Sequence, residues 1–156
     1  MKVRFEEDGS LTQAEVVIRH PPGALPAPAD ALRAAAESLD RGAKLAVHKG
    51  GAEVYLEYRE IIFFETGGNT IYAHTAGEAY ATDKRLYELE GELPAHFARI
   101  SKSAIVNADR IRSIDRPLAS SGLIRFGGSH KAVYVSRRYY KNLKKIIDER
   151  MKRHEV

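Results

Sequence analysis

Apolar and polar residues alternate along most of this chain in short runs broken by glycine and charge. In an extended segment, side chains point to opposite faces at successive residues, so such runs predict half-buried strands. Residues 44–48, 53–57 with Tyr58 attached, and 61–65 read as strands in this way. Gly50-Gly51 separates the first two, and Gly67-Gly68-Asn69 forms a turn before a strand at 70–75 and another at 79–82. Further on, 110–116, 123–126 and 131–135 repeat the pattern, the last two folding about Gly127-Gly128 as a hairpin. A helical period replaces the alternation in three places. Ala31, Leu32, Ala35, Ala36 and Leu39 predict a helix over 29–41 that stops at Gly42. Thr82 is placed as the cap of a helix reaching Glu90, with Leu86 and Leu89 inward and Gly91 and Pro94 ending it. Ser136 is placed as the cap of a final helix whose apolar stripe is Tyr140, Leu143, Ile147 and Met151.

The first 42 residues stand apart. Two strands at 2–7 and 14–19 about Asp8-Gly9, a connection at 20–28 holding four prolines, and the alanine-rich helix predict a small β-β-α extension ahead of a domain at 43–156. A hairpin and one helix make too little core to stand alone. Their surface is therefore expected to pack on the rest of the chain, on a second copy, or on another partner.

One stretch departs from simple alternation, at 95–111. Its apolar anchors Phe97, Ile100, Ala104, Ile105, Val106 and Ile111 enclose Arg99, Ser101, Lys102 and Ser103, with no acid among the four. A straight strand would put Arg99, Ser101 and Ser103 on one face and Lys102 on the other, so a bend is needed for all to serve one surface. These donors suit phosphates and base edges, and no general base is at hand for catalysis.

Charge sharpens that reading. Residues 1–98 carry 10 Lys/Arg against 16 Asp/Glu, whereas 99–156 carry 15 against 5. The C-terminal third is thus a polyanion-facing surface. Arg137 and Arg138 fall in the first turn of the last helix, where cations oppose the helix dipole at a cost of a few tenths of a kcal/mol. That placement makes sense if the helix start meets a phosphate or a base. Lys141, Lys144 and Lys145 extend the charge outward. The 156 residues fit one domain with a small appendage, and no apolar run of about 18 residues is present to span a membrane. The start M-K-V-R-F-E-E-D lacks a secretory core, and the absence of cysteine removes thiolate metal sites and disulfides. A cytoplasmic protein without cofactor or metal is expected.

The segment R-I-S-K-S-A-I-V-N-A-D-R-I, with E-I-I-F-F-E at 60–65 and V-S-R-R-Y-Y-K-N-L-K at 135–144, resembles the signature of the LytTR-type DNA-binding domain family. The likeness covers about residues 44–150, with three motifs in the family's order, and leaves the N-terminal extension unexplained. It implies a mainly β fold: an elongated β-sandwich of small sheets with a C-terminal helix, whose edge loops enter successive major grooves. It implies a transcriptional regulator binding double-stranded DNA at direct repeats through two copies, hence a homodimer at least on DNA. Carried over by position, base reading falls to Asn69, Lys102 and Arg138, and phosphate binding to Arg99, Ser101, Ser103, Arg137 and Lys141. Lys102 would favour guanine O6/N7, where an amide in relatives would favour adenine. Asn107 is read as a structural amide capping a bend. Family members usually carry a receiver domain ahead of this one. With 43 residues preceding it here, control by phosphorylation in cis is not expected, and a small membrane protein is the regulatory partner the resemblance suggests.

Other chemistries find less support. The histidines at 20, 48, 74, 96, 130 and 154 have no ligand spacing, and His74 reads as a satisfied core group. Gly127-Gly128-Ser129-His130 lacks the G-K-[ST] of a phosphate loop and reads as a hairpin turn. Ser101 or Ser103 with His96 and an aspartate lacks the supporting turn of a catalytic triad. An RNA-binding sheet would need exposed strand aromatics, and most tyrosines fall at apolar-stripe positions. The alternative from another class is a protein-interaction module of a membrane-linked signalling system, using the acidic N-terminal half and no DNA.

Overall fold

The computed structural model describes residues 44–115 and 121–154. The hairpin and helix expected within the first 42 residues, and most of the loop at 117–122, lie outside the described residues. The rest is mainly β, as the alternation predicts. In chain order come β1 (Lys44–Lys49), β2 (Ala52–Glu57), a 3-10 turn (Tyr58–Glu60), β3 (Phe63–Gly67), β4 (Thr70–His74) and β5 (Ala79–Thr82). A short helix α1 (Leu86–Glu92) leads to β6 (Phe97–Ser101) and β7 (Ala104–Asn107). A second 3-10 turn (Ala108–Arg110), β8 (Ile111–Asp115), β9 (Gly122–Phe126), β10 (Ala132–Val135) and α2 (Arg137–His154) follow. Seven strands form one antiparallel sheet in the order β2-β1-β5-β4-β3-β7-β6, and β10-β9-β8 form a second.

The stretch singled out at 95–111 is the hairpin β6–β7, and it sits at the heart of the packing. All four residues of β7 are buried. Alternation sends Ala104 and Val106 to one face, where they meet Phe63, Ala98, Ile100, Ile124, Phe126, Val133 and Leu143. Ile105 goes to the other face, against Phe64, Leu86, Leu89, Ile71 and Val47. β3 does the same with Phe63 and Phe64, which is why its sequence shows an unbroken I-I-F-F run instead of clean alternation. Each such residue contributes about 1.5–3 kcal/mol by leaving water. The first core receives the three-stranded sheet and α2; the second receives α1 and the β1–β2 hairpin.

Asn107 closes β7. Its side chain is 1 % exposed. The amide NH2 donates to the Ile61 carbonyl at 2.9 Å, and its oxygen accepts from the Asp109 N–H at 3.1 Å, capping the second 3-10 turn. This is the structural role expected of it. At the opposite end of the sheet from the β6–β7 turn, His74 stacks on Phe63 with centroids 4.3 Å apart. Lys131 lies 3.4 Å from its Nδ1, and Ser129 Oγ donates to the Ala76 carbonyl at 2.6 Å, joining the β9–β10 turn to the β4–β5 loop. Gly127-Gly128 is thus a hairpin turn, with Gly128 at φ 73°.

Several boundaries differ from the expectation. Thr82 ends β5 and caps no helix; its hydroxyl accepts from Lys84 N–H at 3.2 Å, and the helix starts only after Arg85, whose N–H meets the Glu88 carboxylate at 2.6 Å. Gly91 lies inside α1, and the chain leaves helical geometry at Leu93. Tyr58 belongs to a 3-10 turn because Glu60 folds back to the Glu57 N–H. Met151 is 58 % exposed, so the buried stripe of α2 ends early and takes in Tyr139 and Ile146 instead. Tyr55 and Tyr134 are 61 % and 63 % exposed, exceptions to the expectation that most tyrosines lie at apolar-stripe positions. They stand on β2 and β10 in different sheets, so they make no shared stacking platform.

Two outcomes follow from this packing. Asn107→Ala strands the Ile61 carbonyl and the Asp109 N–H, so denaturant unfolding should show a loss of about 1–3 kcal/mol; an unchanged midpoint would refute the capping role. Burial, then the nearby Lys131 charge, lowers the His74 pKa from 6.5 to about 4. The unfolded chain therefore takes up a proton that the native state refuses, and stability present above pH 6.5 is lost as pH falls toward 4. His96 is shifted down as well, mainly by burial, so comparison with His74→Gln is needed to isolate His74. The variant should show a flatter thermal-unfolding profile over that window, and identical slopes would contradict the assignment.

Candidate nucleic-acid interface

Antiparallel pairing decides which turns are neighbours. Glu65 pairs with Ala104, and Thr66 N–H donates to the Ser103 carbonyl at 2.9 Å, so the C-terminal end of β3 abuts the start of β7. The two-residue turn Gly68-Asn69 and the turn Lys102-Ser103 therefore lie side by side at one end of the large sheet. Gly68 takes φ 62°, the left-handed geometry that a two-residue hairpin turn requires. β10 runs toward the same end, where Ser136 N–H donates to the Ile100 carbonyl at 2.8 Å. The Ser136 carbonyl accepts from Tyr139 and Tyr140, so α2 starts beside the β6–β7 turn. Three polar stretches far apart in sequence thus converge.

The side chains there fall into two sets. Asn69 and Lys102 are exposed and make no hydrogen bond or ion pair with any described residue. Arg138 is exposed, and its guanidinium lies 5.8 Å from the Tyr139 ring centre. Lys141 is exposed on the next turn of α2, and Arg137 is exposed at its first residue. The other set is engaged within the chain. Arg99 is half-buried; its Nε donates to the Ser101 carbonyl at 2.7 Å, one terminal nitrogen donates to the Lys102 carbonyl, and the other pairs with the Glu90 carboxylate. Ser101 Oγ accepts from the Ser103 N–H at 3.1 Å and lies 3.2 Å from Ser103 Oγ. A bulge between Arg99 and Ser101 supplies the bend that the sequence called for, and Lys102 is exposed at the tip.

The sequence did not single out Glu90 as part of this region; only its place on the face of α1 toward β6, with Arg99 alternating to that same face, could have signalled it. Along α2, Lys144 pairs with Asp148 at 2.5 Å, and Arg150 forms a two-pronged pair with Asp109, fixing the helix to the second 3-10 turn. Proximity to Asp148 raises the Lys144 pKa. The surface remains cationic: Lys141, Lys145 and Lys152 are exposed there. Among the described residues no group of three or more His, Asp or Glu could hold a metal, and no helix is long and apolar enough to cross a membrane. The His96 ring lies against Phe97, tilted by 41° with centroids 4.8 Å apart, and makes no hydrogen bond to either serine.

This arrangement of a two-sheet scaffold, polar turns at one end and a basic terminal helix matches known proteins. The chain belongs to the LytTR family: the LytTr DNA-binding domain matches residues 52–148. That family is a DNA-binding one and not a family of enzymes. The chain is 41% identical over 86 residues to a protein of Staphylococcus aureus strain NCTC 8325 described as an uncharacterized HTH-type transcriptional regulator, covering 54% of this chain and 57% of that one. A counterpart in strain MRSA252, described in the same words, is 40% identical over the same span. The match spans little more than half the length of these relatives. Among solved structures, the LytTr DNA-binding domain of a protein from Bacillus cereus described as a methyl-accepting/DNA response regulator superposes with a TM-score of 0.61. At 22% identity, covering 67% of this chain and 95% of that one, it shows the shared fold. Despite the relatives' description, α1 and α2 are separated by five strands, so these two helices form no helix-turn-helix.

Proposed function

We propose that this protein is a transcriptional regulator that binds double-stranded DNA by presenting Asn69, Lys102 and Arg138 to base edges in the major groove. The observation that carries this reading is the convergence of three exposed polar side chains, none hydrogen-bonded to a described residue, on abutting ends of three elements. A polar group left unsatisfied by its own protein at a rigid tip is ready to pair with a base. Arg137 and Lys141 would hold phosphates beside them, as would the hydroxyls of Ser101 and Ser103. Two copies would occupy direct repeats, with residues 1–42 as the source of a cohesive contact between them. A cytoplasmic location follows from this role, and a small membrane protein is the kind of partner that would control it.

Fluorescence anisotropy on a duplex selected from a random pool tests the reading. Log K should fall linearly with log salt at about −0.9 per phosphate neutralised. Lys102→Ala and Arg138→Ala should each cost about 1–3 kcal/mol on the selected site and relax preference at one base pair. Arg137→Ala should weaken all sequences equally, because a phosphate carries no base information. A flat salt response, or equal losses on selected and random DNA for all three, would turn the reading toward a protein-interaction module. Light scattering at tens of micromolar on the full chain and on residues 43–156 tests the extension; a monomeric full chain that binds each half-site independently would refute the dimer.

A further inference from the structure

We propose that Glu90 and Arg99 form a brace that positions Lys102, so that Arg99 serves base reading from within the protein and touches no phosphate. The inference rests on the DNA-binding reading above and assigns a part to two residues behind the reading surface.

The geometry is that of one planar fork holding one loop. Lys102 is flanked by two peptide groups, and Arg99 donates to the carbonyls of both, Ser101 at 2.7 Å through Nε and Lys102 through a terminal nitrogen. Its remaining terminal nitrogen pairs with Glu90 on α1, which orients the guanidinium plane. Strand alternation puts Arg99 on the α1 side of the sheet, the side of Phe97, while Ala98 and Ile100 fill the opposite core. Its side chain is 22 % exposed and is directed along the hairpin. The serines finish the job, Ser101 Oγ accepting from Ser103 N–H across the turn. With its backbone held at both flanking peptides, Lys102 enters a groove with fewer tip conformations to lose, which is how an inner residue raises discrimination without touching a base.

Two charge-controlled variants separate a brace from a phosphate contact. Arg99→Lys keeps the positive charge and loses the fork; a phosphate tolerates an ammonium, whereas the single nitrogen of lysine cannot stand where three guanidinium nitrogens meet two carbonyls and a carboxylate. Glu90→Ala removes a negative charge, which by electrostatics alone should tighten binding to any duplex. Anisotropy titrations over several salt concentrations, on selected and random duplex, read the outcome in full-length protein. The brace predicts that both variants lower the ratio of selected to random affinity by roughly three- to tenfold, part of what one base contact supplies. It also predicts that the salt slope stays at the wild-type value and that neither variant changes the ratio further when Lys102 is already alanine. Melting curves recorded on both variants identify any share of the loss that comes from unfolding, and the brace predicts that the ratio falls at temperatures where both remain fully folded. Wild-type DNA binding with an undiminished ratio in both variants would overturn the brace, as would an Arg99→Gln slope shallower by about 0.9, the mark of a lost phosphate. Absence of duplex binding by the wild type would instead overturn the DNA reading itself, and the brace with it.

Discussion

Burial of β7 on both faces is the constraint that the remaining structure answers to. Four residues, Ala104–Asn107, have no surface to give to water, so each face must be covered by a separate layer. One layer is the three-stranded sheet with α2; the other is α1 with the β1–β2 hairpin. Because β7 is also one arm of the β6–β7 hairpin, the element most firmly held is the one that carries the Lys102 tip. A slip of one residue would exchange Ile105 with Ala104 and Val106 between the two cores, so the register, and with it the position of the tip, is strongly fixed. Asn107 secures the far end of the strand through two buried hydrogen bonds.

Function follows from what this scaffold leaves unsatisfied. Around the turn, the chain uses its own carbonyls and hydroxyls to settle Arg99, Ser101 and Ser103. Asn69 and Lys102 are left without polar partners among the described residues, at the end where α2 also begins. Cations in the first turn of α2 work against the helix dipole and favour an anionic partner, a local cost that makes sense at a binding surface. On the proposed reading, DNA recognition needs no helix laid in a groove. Short turns on a stiff sheet can be spaced by the sheet itself.

Much of this was legible from the sequence because strand alternation, glycine turns and the N-terminal start of α2 are local effects. Gly50-Gly51, Gly68-Asn69 and Gly127-Gly128 announced three hairpins, and the charge asymmetry announced the basic face. What escaped were matters decided by tertiary packing. Thr82 has the chemistry of a helix cap, yet β5 keeps it as the last residue of a strand. Met151 continues the helical stripe, but the core it would join ends a turn earlier. Tyr55 and Tyr134 sit at strand positions that look apolar and face outward because only one face of each sheet edge is covered. Arg99 reads as a phosphate ligand from its place in the signature, and its pairing with Glu90 on α1 could not be read there. A charge in a signature does not reveal whether it faces a ligand or its own backbone.

Backbone amide chemical shifts, followed by NMR as the selected duplex is titrated in, test the convergence of the three tips most directly. If these tips form the reading surface, the largest changes fall together at Gly68-Asn69, at Lys102-Ser103 and at Arg137-Arg138, while the β1–β2 turn at Gly50-Gly51 stays unmoved. Changes confined to the groove between β8 and the C-terminal half of α2, or spread over the β1–β2 hairpin with the tips silent, would contradict it.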